Sequence, residues 1–315
     1  MAEVKTLKKV AYVFPGQGSQ YVGMGKELAE NFESAAKIFD EANTALEFDL
    51  KKLCFEGPVD DLKKTEITQP AILTVSVAIF AILKKRGLLP SVAAGHSLGE
   101  YSALTAAGTI DFMDAVRLVN KRGKFMQSAV PEGHGAMVAI LGLPYDKVLE
   151  LASYATSGIV CAANFNSPGQ VVISGEKKPV EEVASHCKEA GAKRVIPLAV
   201  SAPFHCALMQ PAAERLKGEF TQVKFQDARF PVVSNVTGEY MTAAAEIKQK
   251  LVEQVVSTVL WQQSVENMIS KGIDTFVELG PKKVLSGLIK KINPQVKILN
   301  IEDLASFKTT IDALS

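Results

Sequence analysis

Ser97 is the residue whose type and setting best fit nucleophilic chemistry. It lies in Gly95-His96-Ser97-Leu98-Gly99, after a predicted strand (91–94) and before a predicted helix (98–107). In such a strand–turn–helix, the nucleophile elbow, the serine is presented at a sheet edge above the unpaired N–H groups of the helix. Glycines are expected beside it, because side chains there would collide with the neighbouring backbone. Since chance produces this pattern in roughly one chain in ten of this length, a turn that only packs a helix onto a sheet is the alternative.

A serine hydroxyl needs a neighbouring base, most often histidine. The chain has four histidines: His96, His134, His186 and His205. The first should point away from the nucleophile in so tight a turn, and the next two lie in polar or glycine-rich surroundings that indicate solvent exposure. His205 follows the return from a predicted small domain, and clefts between domains favour ligand sites. We therefore predict His205 as the base, with a structural histidine as the alternative.

No acidic partner for His205 is evident from the spacing. An α/β-hydrolase triad runs in the order Ser, Asp or Glu, His, with the histidine close to the C-terminus. Here about 110 residues follow His205, which argues against that arrangement.

Gln17 lies between two glycines, directly after the first predicted strand (10–14). A glycine-rich strand exit can direct a backbone N–H at a substrate carbonyl, and Leu98, next to the nucleophile, would supply the second donor. The segment is not a dinucleotide-binding fingerprint, because Tyr21 replaces the third glycine of G-x-G-x-x-G. An ordinary turn is the alternative.

Arg122 is predicted to lie on a helix over residues 111–127. At 100° per residue its side chain falls about 80° from the centre of the apolar face, which is the edge of the buried surface. A guanidinium there can hold a carboxylate in a bidentate pair. A structural ion pair or a charge at the helix end is the alternative.

The surrounding elements alternate between strands and helices, which predicts a parallel sheet covered on both faces. Strands are predicted at 10–14, 91–94, 231–235, 275–279 and 296–300, and helices at 26–46, 70–86 and 98–107. Residues 131–199 instead follow a β-α-β-β-α-β order, with strands at 136–141, 159–163, 170–174 and 193–198, and helices at 145–154 and 179–190. That order is the split motif of ferredoxin-like domains. We predict an α/β fold: a large domain (1–130 and 200–315) with a mostly parallel sheet, and an inserted α+β domain (131–199).

The composition argues against several functional classes. With 35 Lys+Arg against 34 Asp+Glu, the net charge of +1 favours neither nucleic acid nor an anionic membrane as partner. The four cysteines form no C-x-x-C pair, residues 1–9 lack the apolar core of a signal peptide, and the longest apolar run (71–83) is too short to span a bilayer. We therefore predict a cytoplasmic protein, and no metal-ligand spacing suggests a cofactor.

Six short segments, spread from Phe14 to about Leu285, are distinctive as a set. They are FPGQGSQ (14–20), GHSLGEYSAL (95–104), RGKFMQ (122–127), NFNSPGQVVISG (164–175), PFHCALM (203–209) and ELGPKKVL (278–285). Together they resemble the malonyl-CoA:acyl carrier protein transacylase family, over nearly the whole chain. The resemblance implies an α/β hydrolase-like core with an inserted ferredoxin-like domain, in agreement with the element pattern.

The resemblance also implies roles for the matching residues. Ser97 would be the nucleophile and His205 the base. Arg122 would pair with the free carboxylate of the malonyl group. The oxyanion hole would be formed by the amides of Gln17 and Leu98.

Two further positions follow from the resemblance. In such enzymes a glutamine upstream of a tryptophan, instead of a carboxylate, orients the histidine by hydrogen bonding. Gln254, seven residues before Trp261, matches that position. Many members have serine before the histidine, whereas this chain has Phe204, which leaves the shape of its acyl pocket open.

The expected reaction is a ping-pong transfer of malonyl from malonyl-CoA to the phosphopantetheine thiol of acyl carrier protein, feeding fatty-acid elongation. A malonyl ester of Ser97 is the intermediate, no metal or redox cofactor is needed, and we predict a monomer. A serine thioesterase or esterase using the same Ser97–His205 pair with water is one alternative. Arg122 argues against it, because a generic esterase has no need of such a cation. A non-catalytic binding or scaffold protein with the same fold is the other.

Overall fold

The computed structural model describes residues 5–200 and 202–314. Its strands are β1 Lys5–Thr6, β2 Val10–Phe14, β3 Leu88–Leu89, β4 Val92–Gly95, β5 Gly135–Leu141, β6 Val160–Ser167, β7 Gln170–Glu176, β8 Arg194–Pro197, β9 Val232–Val233, β10 Tyr240–Met241, β11 Thr275–Leu279 and β12 Lys297–Ile301. Its helices are α1 Lys26–Asn31, α2 Glu33–Ala45, α3 Leu50–Glu56, α4 Val59–Leu62, α5 Thr65–Lys85, α6 Leu98–Ala106, α7 Phe112–Ser128, α8 Tyr145–Ser153, α9 Lys177–Glu189, α10 Gln210–Glu219, α11 Ala244–Gln254, α12 Trp261–Ser270, α13 Val284–Ile292 and α14 Leu304–Leu314. The first four of the nine N-terminal residues that predict no signal peptide lie outside the described residues, as does Ser201, shortly before His205.

A six-stranded sheet forms the larger part of the molecule, in the order β10-β9-β4-β2-β11-β12. All neighbours pair in parallel except β9 and β10, which are antiparallel. Every residue of β2, β4 and β11 is buried, as expected where helices cover both faces of a parallel sheet. The predicted α/β fold with a mostly parallel sheet is confirmed.

A separate antiparallel sheet has the strand order β6-β7-β5-β8. With α8 after β5 and α9 after β7, it follows the predicted β-α-β-β-α-β sequence. It has its own apolar core, in which Ile140 and Ile173 of the sheet lie with Val148 of α8 and Val180 of α9. The predicted ferredoxin-like α+β unit is thereby confirmed as part of the fold class.

Two predicted helices differ from the structure. The helix predicted over 26–46 is interrupted at Phe32, whose backbone is extended (φ −132°, ψ 112°) and whose ring packs 4.9 Å from that of Phe307. The helix predicted from residue 70 begins at Thr65, with Pro70 inside it. Proline cannot donate to the carbonyl four residues earlier; the Glu66 carbonyl instead accepts from Asn120 Nδ2 at 2.7 Å. A hydrogen bond from α7 thus satisfies the carbonyl that Pro70 leaves without a partner, and the helix continues through the proline.

Among the described helices, α5 alone is long and apolar enough to cross a membrane. It is also 83% buried inside the protein over its most apolar window. Burial of this kind is typical of the core helix of a globular fold.

The parallel strands place several loops at one edge of the large sheet. β2, β4 and β9 all end there, and their exits carry Gln17, Ser97 and Asn235. Ligands of open α/β sheets bind at this carboxyl edge. The segment after β8, with His205, approaches the same edge from the small sheet.

Candidate active site

Ser97 lies in a strained elbow between β4 and α6. Its backbone has φ 51° and ψ −105°, a region that L-residues rarely occupy and that costs of the order of 1–3 kcal/mol. A Cβ at Gly95 would overlap the backbone of Gly99, and a Cβ at Gly99 would overlap the carbonyl of Phe14. The expected steric need for both glycines is confirmed.

Asn235, two residues after the end of β9, holds the elbow from both sides. Its Oδ1 accepts from Ser97 N at 2.7 Å and its Nδ2 donates to the Gly95 carbonyl at 2.7 Å. The same side chain therefore satisfies one donor and one acceptor of the turn, which stabilises the strained conformation.

His205 lies against the nucleophile. Its Nε2 is 2.8 Å from Ser97 Oγ, and its Nδ1 is 2.9 Å from the backbone carbonyl of Gln254. Because a carbonyl oxygen only accepts, the Nδ1 proton must point to Gln254, leaving Nε2 free to accept the serine proton. Like Ser97, His205 has a positive φ, 60°.

The surroundings keep His205 neutral. Burial, and secondarily the positive charge of Arg122, lower the pKa of His205 from 6.5 to about 3. Both factors disfavour the imidazolium. At neutral pH the ring is therefore in the form that can accept a proton.

Gln254 lies next to His205, but it contacts the histidine through its backbone and not through its side chain. The atom facing His205 is the backbone carbonyl, at the last residue of α11. The Gln254 side chain is fully buried and points to the other side, where Nε2 donates to the Ser97 carbonyl at 3.0 Å and Oε1 accepts from Arg122 Nη2 at 3.0 Å.

Arg122 lies beside the nucleophile and not at the edge of the buried surface, where the helix pattern placed it. It is 1% exposed; Nη2 is 3.2 Å from Ser97 Oγ and Nη1 donates to Gln69 Oε1 at 2.8 Å. The prediction considered α7 alone, whereas in the structure α5 packs against the side of α7 that carries Arg122 and buries it. The approach is close because Gly123 lets the backbone of Glu66 pack within 2.6 Å of where its Cβ would be.

The backbone amides of Gln17 and Leu98 are available as donors. Neither N–H has an acceptor within residues 5–200 and 202–314, and Leu98 begins α6, where helix N–H groups lack internal partners. Gly16 brings the first loop onto the elbow, since a Cβ there would lie 2.5 Å from the His96 carbonyl oxygen. Two such donors beside a nucleophile are suited to an oxyanion.

These groups open onto one cavity of about 460 Å³. Five of the six predicted site residues line it: Gln17, Ser97, Leu98, Arg122 and His205. Gln254 is not among the lining residues, while Phe204 is. Among the described residues, no group of three or more histidines, cysteines or carboxylates could hold a metal ion.

The remaining histidines lie as expected. His134 and His186 are exposed. His96 does not contact Ser97 Oγ; its Nε2 bonds Asn166 Oδ1 at 2.8 Å, and its ring lies 5.8 Å from that of Trp261.

Sequence reasoning missed several polar residues around the site. They are Gln69, Glu100, Asn166 and Asn235. A signal existed for Asn235, which ends a predicted strand at the carboxyl edge of a parallel sheet, where ligand-binding groups collect. Glu100 also had one, since a carboxylate three residues after the nucleophile lies in the first turn of the following helix.

Comparisons with known proteins show which family this chain resembles. A family model described as acyl transferase domain matches residues 11–305. The malonyl CoA-acyl carrier protein transacylase of Bacillus subtilis is 49% identical over 310 residues, covering 98% of each protein. A crystal structure of an acyl carrier protein S-malonyltransferase from Vibrio cholerae superposes with a TM-score of 0.94 at 47% identity, covering 96% of this chain and all of that one.

A second solved structure is similar to the same degree. It is a malonyl-transacylase in complex with a type II PKS acyl-carrier protein, with a TM-score of 0.94 and 47% identity over 96% of this chain and 99% of that one. The residues matched by the acyl transferase family model include every residue that lines the cavity. The chain therefore belongs to the malonyl-CoA–acyl carrier protein transacylase family.

Proposed function

We propose that this chain transfers a malonyl group from malonyl-CoA to the phosphopantetheine thiol of acyl carrier protein, through a malonyl ester of Ser97. One observation carries the proposal: Ser97 Oγ lies 2.8 Å from a neutral base, His205, and 3.2 Å from a buried guanidinium, Arg122. Relatives that bear the transacylase name, and the solved complex of a similar enzyme with a carrier protein, support the donor and the acceptor.

Acylation begins when the Ser97 hydroxyl gives its proton to His205 Nε2. The oxygen attacks the thioester carbonyl, and the developing oxyanion accepts from the N–H groups of Gln17 and Leu98. The C–S bond then breaks, and the imidazolium returns its proton to the sulfur of coenzyme A. Because Nδ1–H remains bonded to the Gln254 carbonyl, the ring keeps one orientation throughout.

Deacylation runs through the same groups in reverse. The carrier-protein thiol gives its proton to His205 and attacks the malonyl ester. The oxyanion forms in the same hole, the C–O bond to Ser97 breaks, and His205 returns the proton to Oγ.

Arg122 explains the choice of acyl group. Its guanidinium is a buried cation with donors to spare: Nε has no acceptor among the described residues. A carboxylate at the end of the acyl group would meet a charge-assisted partner there, whereas an unsubstituted acyl group would leave the cation unpaired.

Several further features belong to the proposal. Residues 131–199 would form an inserted domain, supported by the separate sheet and core of β5–β8. The enzyme would act as a cytoplasmic monomer without metal or redox cofactor. The net charge of +1 supports the absence of nucleic-acid and membrane partners.

Mass spectrometry of the protein after brief exposure to malonyl-CoA tests the proposal. One malonyl group should appear on Ser97 and disappear when holo acyl carrier protein is added, which should gain it. Ser97→Ala should form no adduct, while Ser102→Ala, which changes a buried serine of the following helix α6, should still form it. Rapid release of free malonate without adduct or transfer would instead support a thioesterase, and full activity in Ser97→Ala would support a role without this nucleophile.

A further inference from the structure

Glu100 is a carboxylate with no exposed surface, in the first turn of α6. Its Oε2 accepts from Gln254 Nε2 at 2.7 Å and from Asn235 N at 3.2 Å, while Oε1 has no partner in the described part of the chain. Burial raises the pKa of Glu100 to about 7, against the opposing effects of Gln254, Asn235 and Arg122. Burying such a group is unfavourable unless its contacts are needed, and none of the steps above uses it.

The contacts of Glu100 determine which way the Gln254 amide points. Nε2 of Gln254 donates to Glu100 Oε2 and to the Ser97 carbonyl, so that Oε1 is left to accept from Arg122 Nη2. In the reversed orientation the amide oxygen would face a carboxylate and a carbonyl, and the amide N–H₂ would face a guanidinium. A carboxylate only accepts and a guanidinium only donates, so just one orientation satisfies both.

Arg122 depends on that orientation. Its Nη2 is shared between Gln254 Oε1, at 3.0 Å, and Ser97 Oγ, at 3.2 Å. Without the Gln254 Oε1 acceptor, Nη2 would lose one of the two contacts that hold the guanidinium next to Ser97 Oγ. Glu100 Oε2 also accepts from the backbone N–H of Asn235, the residue whose side chain bonds both Ser97 and Gly95 in the elbow.

We propose that Glu100 is a positioning residue that fixes the Gln254 amide and thereby holds the Arg122 guanidinium beside Ser97, where it selects acyl groups bearing a carboxylate. This inference rests on the proposed role of Arg122. Glu100 contacts Ser97 through its backbone N–H, which donates to the Ser97 carbonyl at 3.1 Å, and its carboxylate does not line the cavity. Replacing that carboxylate must therefore affect selectivity more than the chemistry common to all acyl groups.

The test compares kcat/KM for malonyl-CoA and acetyl-CoA in Glu100→Gln. This isosteric change lets the two amides pair in either orientation, so the malonyl value should fall roughly 10-fold or more while the acetyl value changes far less. Glu278→Gln is the matched control: Glu278 is equally buried, but its carboxylate accepts from Leu285 N and Ser286 N at the start of α13. The control should keep the wild-type selectivity.

A double variant separates positioning from general structure. If Glu100 acts through Arg122, adding Glu100→Gln to Arg122→Ala should cause little further loss of malonyl transfer. Equal loss of both acyl groups in Glu100→Gln, or a full additive loss in the double variant, would overturn the inference. If Glu100→Gln does not fold, Glu100→Asp, which keeps the charge, must show a smaller malonyl-selective loss, and an unselective loss there would overturn it too.

The two proposals fail in distinguishable ways. If Arg122→Ala lowers malonyl and acetyl transfer equally, Arg122 is not the partner of the malonyl carboxylate. The role of Glu100 that depends on it is then overturned as well. A malonyl-selective Arg122→Ala beside an unselective Glu100→Gln would overturn the role of Glu100 alone.

Discussion

Arg122 places a positive charge beside the nucleophile, and that placement predicts which acyl group is selected. Arg122→Ala should lower kcat/KM for malonyl-CoA by roughly 100-fold or more, because a buried carboxylate would lose its charged partner. Acetyl transfer should fall much less, although the Nη2 contact with Ser97 Oγ is also lost. Steady-state assays with both donors measure the difference.

Arg117→Ala provides the control for this prediction. Arg117 lies on the same helix α7, is exposed, and pairs with Asp114 at 3.5 Å. Its loss should leave both rates near wild type. Similar losses of malonyl and acetyl transfer in Arg122→Ala would contradict the carboxylate pairing.

The neutral state of His205 predicts the pH dependence of the free enzyme. Since the pKa of His205 is lowered from 6.5 to about 3, the competent neutral form is present above the lowered pKa and is lost only as pH falls through it. A profile of kcat/KM for malonyl-CoA should therefore show no half-loss at 6.5.

The pKa of Glu100 lies close to the ordinary histidine value of 6.5, so its titration must be distinguished from that of an unperturbed His205. Its pKa is raised to about 7, so an inflection there should disappear in Glu100→Gln. An inflection near 6.5 that persists in this variant would contradict a depressed pKa for His205.

At the scale of elements, the close packing of α7 on α5 places Arg122. Gly123→Ala would put a methyl group about 2.6 Å from Glu66 Cα, which must push the helices apart. We expect a lower melting temperature and a malonyl-selective loss of activity, measured by thermal unfolding and by transfer assays with both donors.

Gly287→Ala is the corresponding control in α13. A Cβ there meets nothing within 4 Å, so alanine should stabilise the helix by up to about 1 kcal/mol without affecting transfer. A Gly123→Ala protein as active and stable as wild type would show that the helices can separate without moving the arginine.

The elements also show why some of the site could be predicted and some could not. The elbow could be predicted because its glycines are required by collisions between residues close together in the sequence. His205 could be identified because the chain has only four histidines from which to choose the base. Arg122 was predicted to lie at the edge of the buried surface, whereas it is fully buried, because a helical wheel takes no account of the neighbouring helix α5. The Glu100–Asn235 contact joins residues 135 positions apart, and the Gln254 group that holds His205 is a carbonyl that every residue possesses, so neither left a local pattern.

At the scale of the whole molecule, β6 ties the small sheet to the large one. Val259 N and O bond the backbone of Ala163 and Phe165 at 2.8 and 2.9 Å, and Asn166 Oδ1 bonds His96 at 2.8 Å. His96 belongs to the elbow, while His205 arrives from the small-sheet side. The distance between nucleophile and base therefore depends on this junction.

Asn166→Ala should loosen that junction. Leaving the half-buried His96 nitrogen without its partner should destabilise the fold by about 1 kcal/mol. It should also lower transfer of malonyl and acetyl groups alike, because the Ser97–His205 geometry serves both. Denaturant unfolding and transfer assays measure the two effects.

Asn267→Ala serves as the comparison. Asn267 makes two side-chain bonds, to the Gly238 carbonyl and the Glu239 carboxylate, within the large-sheet body. Its loss should affect stability without affecting transfer. A malonyl-selective loss in Asn166→Ala would assign that residue to substrate binding instead of the junction.

The positive φ angles of Ser97 and His205 bear on how such a chain can change over generations. Glycine would occupy either backbone conformation with less strain, so selection for a sturdier fold alone would favour replacing the two residues on which transfer depends. A duplicated copy relieved of the need for transfer should therefore lose its nucleophile and base early, while the core that surrounds them persists. Descendants of this fold without activity should be recognisable by glycine at these two positions.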